Sequence, residues 1–300
     1  MPLGPVDDPA ACMRRYGELV GAPRRLSTMG DVIDRFLLEV VPKKAARTQE
    51  DYAAYCVKLK HAFEHMAPDE ITIADLYEYH AARGAPVRAN REIAVLGSIY
   101  RHAIRWSAAT RNPVRGQFIF ADEDPRDRYV TGSERRRFAR ICPTWLHGYL
   151  TLKHLTGRRQ GELLRLGLFS ERHDGLAFRI LKKRRFRELV IEWTPRLRRV
   201  WEWLKKNVRR PPSSTVIFPA SRGKRRGQAM SSQGFKSAWA RAMKEWSSAG
   251  NEAFWEHDLR ASSASAADSD ERARELLDHE DLRTTRRSYR RGVQKVRPLR

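Results

Sequence analysis

Apolar residues recur every three or four positions between residues 26 and 110, so successive α-helices would carry them on one face. The pattern predicts four helices and therefore a small all-helical domain over residues 26–110. Residues 1–25 contain several prolines and no such periodicity, so we expect an irregular lead there. The predicted helices begin at Ser27 or Thr28, at Thr48, at Thr72 and at Ala89, and end near Pro42, near Phe63, at Ala82 and at Ser107.

The periodicity stops between residues 111 and 128, where two prolines and a cluster of charges predict a linker. Thr131 and Glu134 then form a capping-box pattern, which predicts that a second domain, residues 129–300, begins with a helix. Gly157 ends a further predicted helix, and another runs through Leu166. Two β-rich runs, Ala177–Leu181 and Glu188–Trp193, predict a hairpin, and Ser231 or Ser232 begins a helix with Phe235, Trp239 and Trp246 on one stripe.

These elements predict a mainly α-helical fold with one small β-hairpin, an α+β class. A chain of 300 residues is long enough for two domains of ordinary size. We therefore expect a helical N-terminal domain, a linker, and a larger C-terminal domain that ends in a short tail.

Charge is divided unevenly between the two predicted domains. Residues 26–110 carry 11 basic and 11 acidic residues, whereas residues 127–300 carry 41 basic and 19 acidic residues. An excess of this size on one part of the chain points to a polyanionic partner. Nucleic acid is the default partner, because the basic residues are not gathered on one amphipathic helix as they are in membrane-surface proteins.

Several other classes of protein are disfavoured. The three cysteines are scattered and odd in number, so neither a disulfide framework nor a zinc site is expected, and a reducing cytoplasm is the natural setting. No apolar run is long enough to span a membrane. Because no phosphate-binding glycine loop, metal-binding motif or carboxylate pair is present, we expect no ATP, metal or other cofactor.

Candidate chemistry is concentrated near the C-terminus. His257 and Arg260 are three residues apart, so they share one face of a helix, near an N-terminus that favours an anion. Tyr289 stands in a run of arginines, where its hydroxyl could meet a phosphate. Upstream, Arg158 and Arg159 follow Gly157 at a tight helix junction. Each signal has a plainer interpretation: a surface pair, a docking tail, or an arginine held by Glu162.

Together, and in this order, the motifs resemble the tyrosine recombinase (phage integrase) family over residues 26–295. Thr156–Glu162 reads Thr-Gly-Arg-Arg-Gln-Gly-Glu and matches the first arginine box, which identifies Arg159 rather than Arg158. His257-Asp258-Leu259-Arg260 matches the second box. Leu277-Asp278-His279, followed by Tyr289, resembles the third. The N-terminal helical part is similar to the core-binding domain of the family.

The resemblance implies a site-specific recombinase that cuts and rejoins DNA through a 3′-phosphotyrosine at Tyr289. It implies phosphate contacts from Arg159, Arg260 and His279, and either proton transfer or a phosphate hydrogen bond from His257. The implied partner is double-stranded DNA, with four protomers acting on two duplexes through a Holliday junction and DNA-bending accessory proteins as further partners. A topoisomerase- or resolvase-like relative and a catalytically silent DNA-binding protein remain as alternatives. Such a protein belongs with the cytoplasmic nucleoid.

Exposed basic residues at helix ends and in the hairpin turn are candidate DNA contacts: Lys43, Lys44, Arg47, Arg88, Arg91, Lys182 and Arg184.

Three features depart from the family pattern. Asp278 replaces the usual glycine and puts a charge beside His279, and Tyr289 follows that histidine by ten residues where nine is commoner. The catalytic lysine of the hairpin is ambiguous as well. Counting back from Trp193 reaches Arg184, one extra turn residue gives Lys183, and two give Lys182; we favour Lys183.

Overall fold

The computed structural model describes residues 26–123, 126–182 and 185–291, with only the backbone at residues 181, 182, 185 and 186. The described residues form two compact units, one within residues 26–123 and one within residues 126–291. The first is all helical, and the second is mainly helical with one two-stranded antiparallel sheet. The predicted fold class is therefore confirmed.

The first unit contains four α-helices whose starts are determined locally. Thr28 and Thr72 each cap a helix through a reciprocal hydrogen-bonded box with the aspartate three residues on, as their sequences predict. The prediction of Thr48 as a helix start was wrong by two residues, and the fourth helix begins earlier than Ala89 because Pro86 takes its first turn, where a missing N–H costs nothing. The helices are α1 (Met29–Glu39), α2 (Ala46–Phe63), α3 (Ile73–Ala82) and α4 (Pro86–Arg105).

Residues 111–123, which the sequence assigned to a linker, pack against the helices of the first unit. The side-chain amide of Asn90 donates to the carbonyl of Ala121 at 2.8 Å and accepts from its N–H at 3.2 Å. The hydroxyl of Tyr77 accepts a hydrogen bond from the N–H of Ile119 at 3.1 Å. Because the buried Asn90 side chain forms hydrogen bonds to the backbone of this segment, the segment belongs to the first unit as far as residue 123.

The second unit surrounds an aromatic core. Phe138 packs against Trp239, Trp246 and Phe254, with ring centroids 5.0 to 5.7 Å apart. The predicted capping box at Thr131 is present. The elements of the second unit are α5 (Gly132–Ile141), α6 (Thr144–Thr156), α7 (Gln160–Leu163), β1 (Gly175–Lys182), β2 (Arg185–Glu192), α8 (Pro195–Asn207), α9 (Ser232–Ser248), α10 (Asp258–Ser265), α11 (Asp270–Leu277) and α12 (Leu282–Tyr289).

Helix α8 was not predicted, although its signals are present in the sequence. Thr194 caps it, Pro195 occupies the first turn, and Leu197, Trp201 and Leu204 are its buried residues. Their spacing of four and three residues is that of one helical face. This apolar face is hard to recognise in the sequence, because the basic residues between its members make the segment polar overall.

The predicted hairpin is confirmed as β1 and β2, whose register runs from Gly175 opposite Glu192 to Lys182 opposite Arg185. A β-carbon at Gly175 would lie 2.4 Å from the carbonyl oxygen of Ile191, so only glycine fits where the ladder begins. Lys183 and Arg184 lie outside the described residues.

Candidate active site

The turn after α6 brings the first arginine box against α11. Gly157 has a φ of 59°, in the left-handed region that favours glycine. A β-carbon at this position would lie 2.8 Å from Cδ2 of Leu277. The glycine therefore both ends α6 and lets two distant segments of the chain approach each other closely.

Arg158 and Arg159, which both follow this turn, have different surroundings. Arg158 is fully buried and donates to the backbone carbonyl of Leu276, and burial lowers the pKa of its guanidinium to about 10. Arg159 keeps half of its side chain exposed while pairing with Glu162 at 3.1 Å. The buried arginine therefore supports the turn, and the exposed one is available to a ligand.

Arg260 lies at the centre of the site. It is fully buried in α10, and its two terminal nitrogens donate to the carbonyl oxygens of Gly157 and Leu277, each at 2.5 Å. Burial, together with the nearby charges of Arg159 and Arg158, lowers the pKa of the Arg260 guanidinium to about 10. Because two positive neighbours disfavour the charge of Arg260, an anion bound here would stabilise the site.

His279 follows α11 and packs on the same guanidinium. Its Nε2 lies 3.2 Å from a terminal nitrogen of Arg260, and its Nδ1 lies 2.9 Å from the hydroxyl of buried Thr285. Burial, together with the charges of Arg260 and Arg159, lowers the pKa of His279 to about 4. The imidazole is therefore neutral at pH 7.

Tyr289, the last residue of α12, faces both histidines. Its hydroxyl oxygen lies 3.0 Å from Nε2 of His257, and its ring centroid lies 4.7 Å from that of His279. The guanidinium carbon of Arg260 lies 5.6 Å from the same tyrosine ring. Four of the six predicted catalytic residues are thus brought together in the second unit, although they come from three separate segments of sequence.

The end of α12 is tied to its own chain. The hydroxyl of Ser265 donates to the carbonyl of Tyr289 at 3.2 Å, and Arg290 donates to the carbonyls of Ala264 and Ala267. Arg291 pairs with Asp258 at 2.9 Å. These contacts hold the tyrosine near His257 of the same molecule.

Asp278, the unusual residue before His279, has a structural explanation. Its φ of 56° and ψ of 47° place it in the left-handed region at the end of α11, the conformation that glycine takes most easily. Its carboxylate forms an ion pair with Arg187 of β2. The aspartate therefore connects the hairpin to the segment that carries His279.

The remaining candidates are placed less specifically. Lys43, Lys44, Arg47, Arg88 and Arg91 lie at or near helix ends of the first unit, as the sequence suggested. Arg47 pairs with Glu50 and Asp51, and Arg91 pairs with Glu123. Surface pairs of this kind are weak, so they leave the arginines able to exchange partners. The side chains of Lys182, Lys183 and Arg184 are outside the described residues.

Sequence reasoning missed a buried polar group behind the site. Lys153, on α6, is fully buried and forms an ion pair with Glu256, the residue before His257, at 2.6 Å. A lysine within the apolar stripe of a predicted helix was the available signal, and it was not used. A cleft of about 920 Å³ opens beside Arg159 and His257, between α9 and residues 253–257.

Among the described residues, no helix is long and apolar enough to cross a membrane. In the same parts of the chain, no group of three or more histidine, cysteine and acidic side chains could hold a metal ion. The positive charge at the site is supplied by the arginines.

Comparison with known proteins agrees with this geometry. The sequence model of the phage integrase family matches residues 128–295. A shufflon-specific DNA recombinase of Escherichia coli is 30% identical over an alignment of 161 positions, which covers 48% of this chain and 42% of that protein. The chain therefore spans less than half the length of this curated relative.

Solved integrase structures share the fold at low sequence identity. A lambda integrase dimer bound to a COC′ core site has a TM-score of 0.74 and 18% identity, over 96% of this chain and 88% of that one. A lambda integrase tetramer bound to a Holliday junction has a TM-score of 0.71 and 18% identity, over 97% and 88%.

The integrase of the transposon Tn1549, in complex with circular intermediate DNA, has a TM-score of 0.71 and 14% identity, over 89% of this chain and 96% of that one. Structural similarity at such identities shows the fold alone. The family match is independent of it and covers more than half of the chain, including both arginine boxes and the tyrosine. The resemblance stated from the motifs is confirmed, and the chain belongs to the phage integrase family.

Proposed function

We propose that the protein is a tyrosine-type site-specific DNA recombinase, which integrates or excises a mobile element. The observation that carries this proposal is the convergence of three side chains on Tyr289, with His257 at its hydroxyl and Arg260 and His279 against its ring. A phenol beside a neutral base and buried cations has what attack on a phosphodiester requires.

Tyr289 is the nucleophile. A free tyrosine has a pKa of about 10, so it needs a base at neutral pH. Burial, and then the charge of Lys153, lower the pKa of His257, which leaves its imidazole neutral and able to accept the phenolic proton. The phenolic oxygen bonds to phosphorus, the bond from phosphorus to the 5′-oxygen breaks, and a 3′-phosphotyrosine forms.

The 5′-oxygen leaves with a proton from the hairpin lysine, Lys183 by our assignment, with Lys182 as the alternative. During the attack, negative charge grows on the two nonbridging oxygens. Arg159, which is half exposed, and Arg260, which is buried among other cations, stabilise that charge together with His279. No cofactor is needed, because the phosphotyrosine conserves the energy of the broken ester for rejoining to a new 5′-hydroxyl.

Cleavage occurs in cis, with each protomer using its own tyrosine. The support is the set of contacts from Ser265, Asp258 and the carbonyls of α10 that hold residues 289–291 on the same chain. A tyrosine donated to a neighbour would have to give up this set of hydrogen bonds and ion pairs together.

DNA is held by both units. The first unit serves as the core-binding domain, through Lys43, Lys44, Arg47, Arg88 and Arg91, and the strongly basic second unit adds Lys182 and Arg184 of the hairpin. Four protomers join two duplexes through a Holliday junction, with DNA-bending proteins as further partners. We place the complex on cytoplasmic, nucleoid DNA.

A covalent adduct tests the proposal. Nicked suicide duplexes, taken from the DNA on either side of the gene and from pools selected for binding, are incubated with the protein and resolved under denaturing conditions. We expect a protein–DNA adduct that resists denaturant and disappears on protease treatment. Binding without an adduct on any selected duplex would favour a silent DNA-binding protein. Relaxation of supercoils without exchange between two sites would favour a topoisomerase.

A further inference from the structure

A buried ionic network connects the first two boxes of the active site. Nζ of Lys153 donates to the carbonyl oxygen of Arg158 at 2.8 Å and pairs with Oε1 of Glu256 at 2.6 Å. The hydroxyl of Tyr149 donates to the same carboxylate oxygen at 2.5 Å. Arg158 directly precedes Arg159, and Glu256 directly precedes His257, so one ammonium group is bonded to the neighbours of two site residues.

Stability alone is a poor explanation for this network. Moving a lysine and a glutamate out of water costs several kcal/mol per ion, and well-packed apolar residues of similar volume often do as well or better. Lys153 is fully buried, and burial lowers the pKa of its ammonium even though Glu256 opposes the shift. A charge kept in such a position needs a reason other than packing.

We propose that Lys153 is a positioning residue for DNA cleavage, which fixes the turn that carries Arg159 relative to the Glu256–His257 segment. Its charge and that of Glu256 also act on His257 with opposite signs. This inference rests on the proposed function above. Lys153 acts through these neighbours and not on the DNA, because its side chain has no exposed surface.

The charges around His257 allow this role to be tested. Besides the loss of water around its ring, Lys153 and Arg260 lower the pKa of His257, whereas Glu256 and Asp258 raise it. Tyr289 and His279 face the same ring from α12 and from the end of α11. Removing Lys153 alone leaves the opposing carboxylate, so the pKa of His257 should rise; removing both charges should return it toward its starting value.

The test compares K153M with K153M/E256Q, in which the glutamine still accepts from Tyr149. The titration of His257 is followed by NMR through its ring protons, assigned with His257→Gln, and adduct formation is measured from pH 5.5 to 9 in single-turnover reactions. We expect K153M to raise the pKa of His257 by on the order of half a unit. We expect the double variant to reverse that rise but to remain about tenfold or more slower in cleavage at every pH, because the tie to the Arg158 carbonyl is lost.

K205M provides the matched control, since Lys205 forms an ion pair with Glu171 at 2.8 Å in the same unit. It should leave both the titration and the cleavage rate unchanged. Wild-type cleavage rates in the double variant would overturn the positioning role, and so would an unshifted His257 in K153M. If K153M does not fold, the neutral double variant still decides the rate. If the wild-type protein forms no adduct, the proposed function is refuted. The NMR titration would still show whether Lys153 and Glu256 act on His257.

Discussion

Nε2 of His257 lies 3.0 Å from the hydroxyl oxygen of Tyr289, although 32 residues separate the two along the chain. His257 immediately precedes α10 and Tyr289 is the last residue of α12, and these two short helices pack on each other. This distance is that of a proton transfer, so the two side chains are suited to act as base and nucleophile.

Tyr289→Phe removes the nucleophilic oxygen while leaving the ring in place. We expect DNA affinity within about twofold of wild type and no covalent adduct, since phenylalanine has no atom to attack phosphorus. Electrophoretic mobility shifts measure binding, and denaturing gels with a suicide duplex measure adduct. Tyr129→Phe, a half-buried tyrosine of the same unit, is the control and should keep full adduct formation. An adduct on the Tyr289→Phe protein would show that another residue attacks.

Arg159→Ala and Arg260→Ala should behave differently. Both should lower the cleavage rate by about 10²–10³, the usual cost of losing one donor to a transition-state anion. Only Arg260→Ala should also destabilise the fold, by several kcal/mol, because the carbonyls of Gly157 and Leu277 lose buried partners. Urea denaturation and single-turnover cleavage separate the two effects. If both substitutions destabilised the fold equally, the assignment of Arg159 as the exposed arginine that contacts the phosphate would be contradicted.

Acid should destabilise the second unit before its carboxylates titrate. Burial lowers the pKa of His154 and of His279 to about 4 in the folded protein, against about 6.5 in an unfolded chain. Between these values the unfolded state binds more protons, so the stabilisation is complete above pH 6.5 and is lost as pH falls toward 4.

The unfolding free energy in urea should therefore fall by about 2 kcal/mol or more between pH 7.5 and pH 5. His154→Gln should reduce that dependence. His173→Gln, at a position whose side chain is 95% exposed, should not. A stability that is flat over this range would mean that both imidazoles are already accessible to protons.

Substitutions at Asp278 should rank by how well they tolerate its left-handed backbone. Asp278→Gly should be as stable as wild type or more so by up to about 1 kcal/mol, and Asp278→Ala should be less stable by a similar amount. Asp278→Asn keeps a tolerant side chain and loses only the pair with Arg187, which is 45% exposed, so its change should be within about 0.5 kcal/mol. The midpoints of urea denaturation give the order of stability. An alanine variant as stable as the glycine variant would show that the left-handed backbone at residue 278 is not strained.

The hairpin lysine can be identified by chemical rescue. Lys183→Ala should abolish cleavage of an ordinary duplex and recover it on a substrate whose 5′-bridging oxygen is replaced by sulfur, because a thiolate leaves without protonation. Lys182→Ala should reduce DNA binding without selective rescue. The opposite pattern would assign the general acid to Lys182, and rescue of neither variant would place the acid elsewhere.

Local sequence was enough to predict most helices and the order of the motifs. Thr28, Thr72 and Thr131 cap helices because a side-chain oxygen and a backbone N–H three residues away meet within one turn. Such interactions need nothing from the rest of the chain. The hairpin followed from a local pattern as well, the family membership from the resemblance of the motifs to a known family, and both were confirmed.

Only the tertiary structure showed how the side chains meet. The match to the first arginine box of the family selected Arg159 over Arg158. The burial of Arg158, however, involves a contact with Leu276, 118 residues further along the chain. The pairing of Asp278 with Arg187 and of Lys153 with Glu256 likewise joins separate elements. Periodicity reports which face of a helix is apolar, whereas the partner of a buried charge is set by long-range packing, which no local pattern encodes.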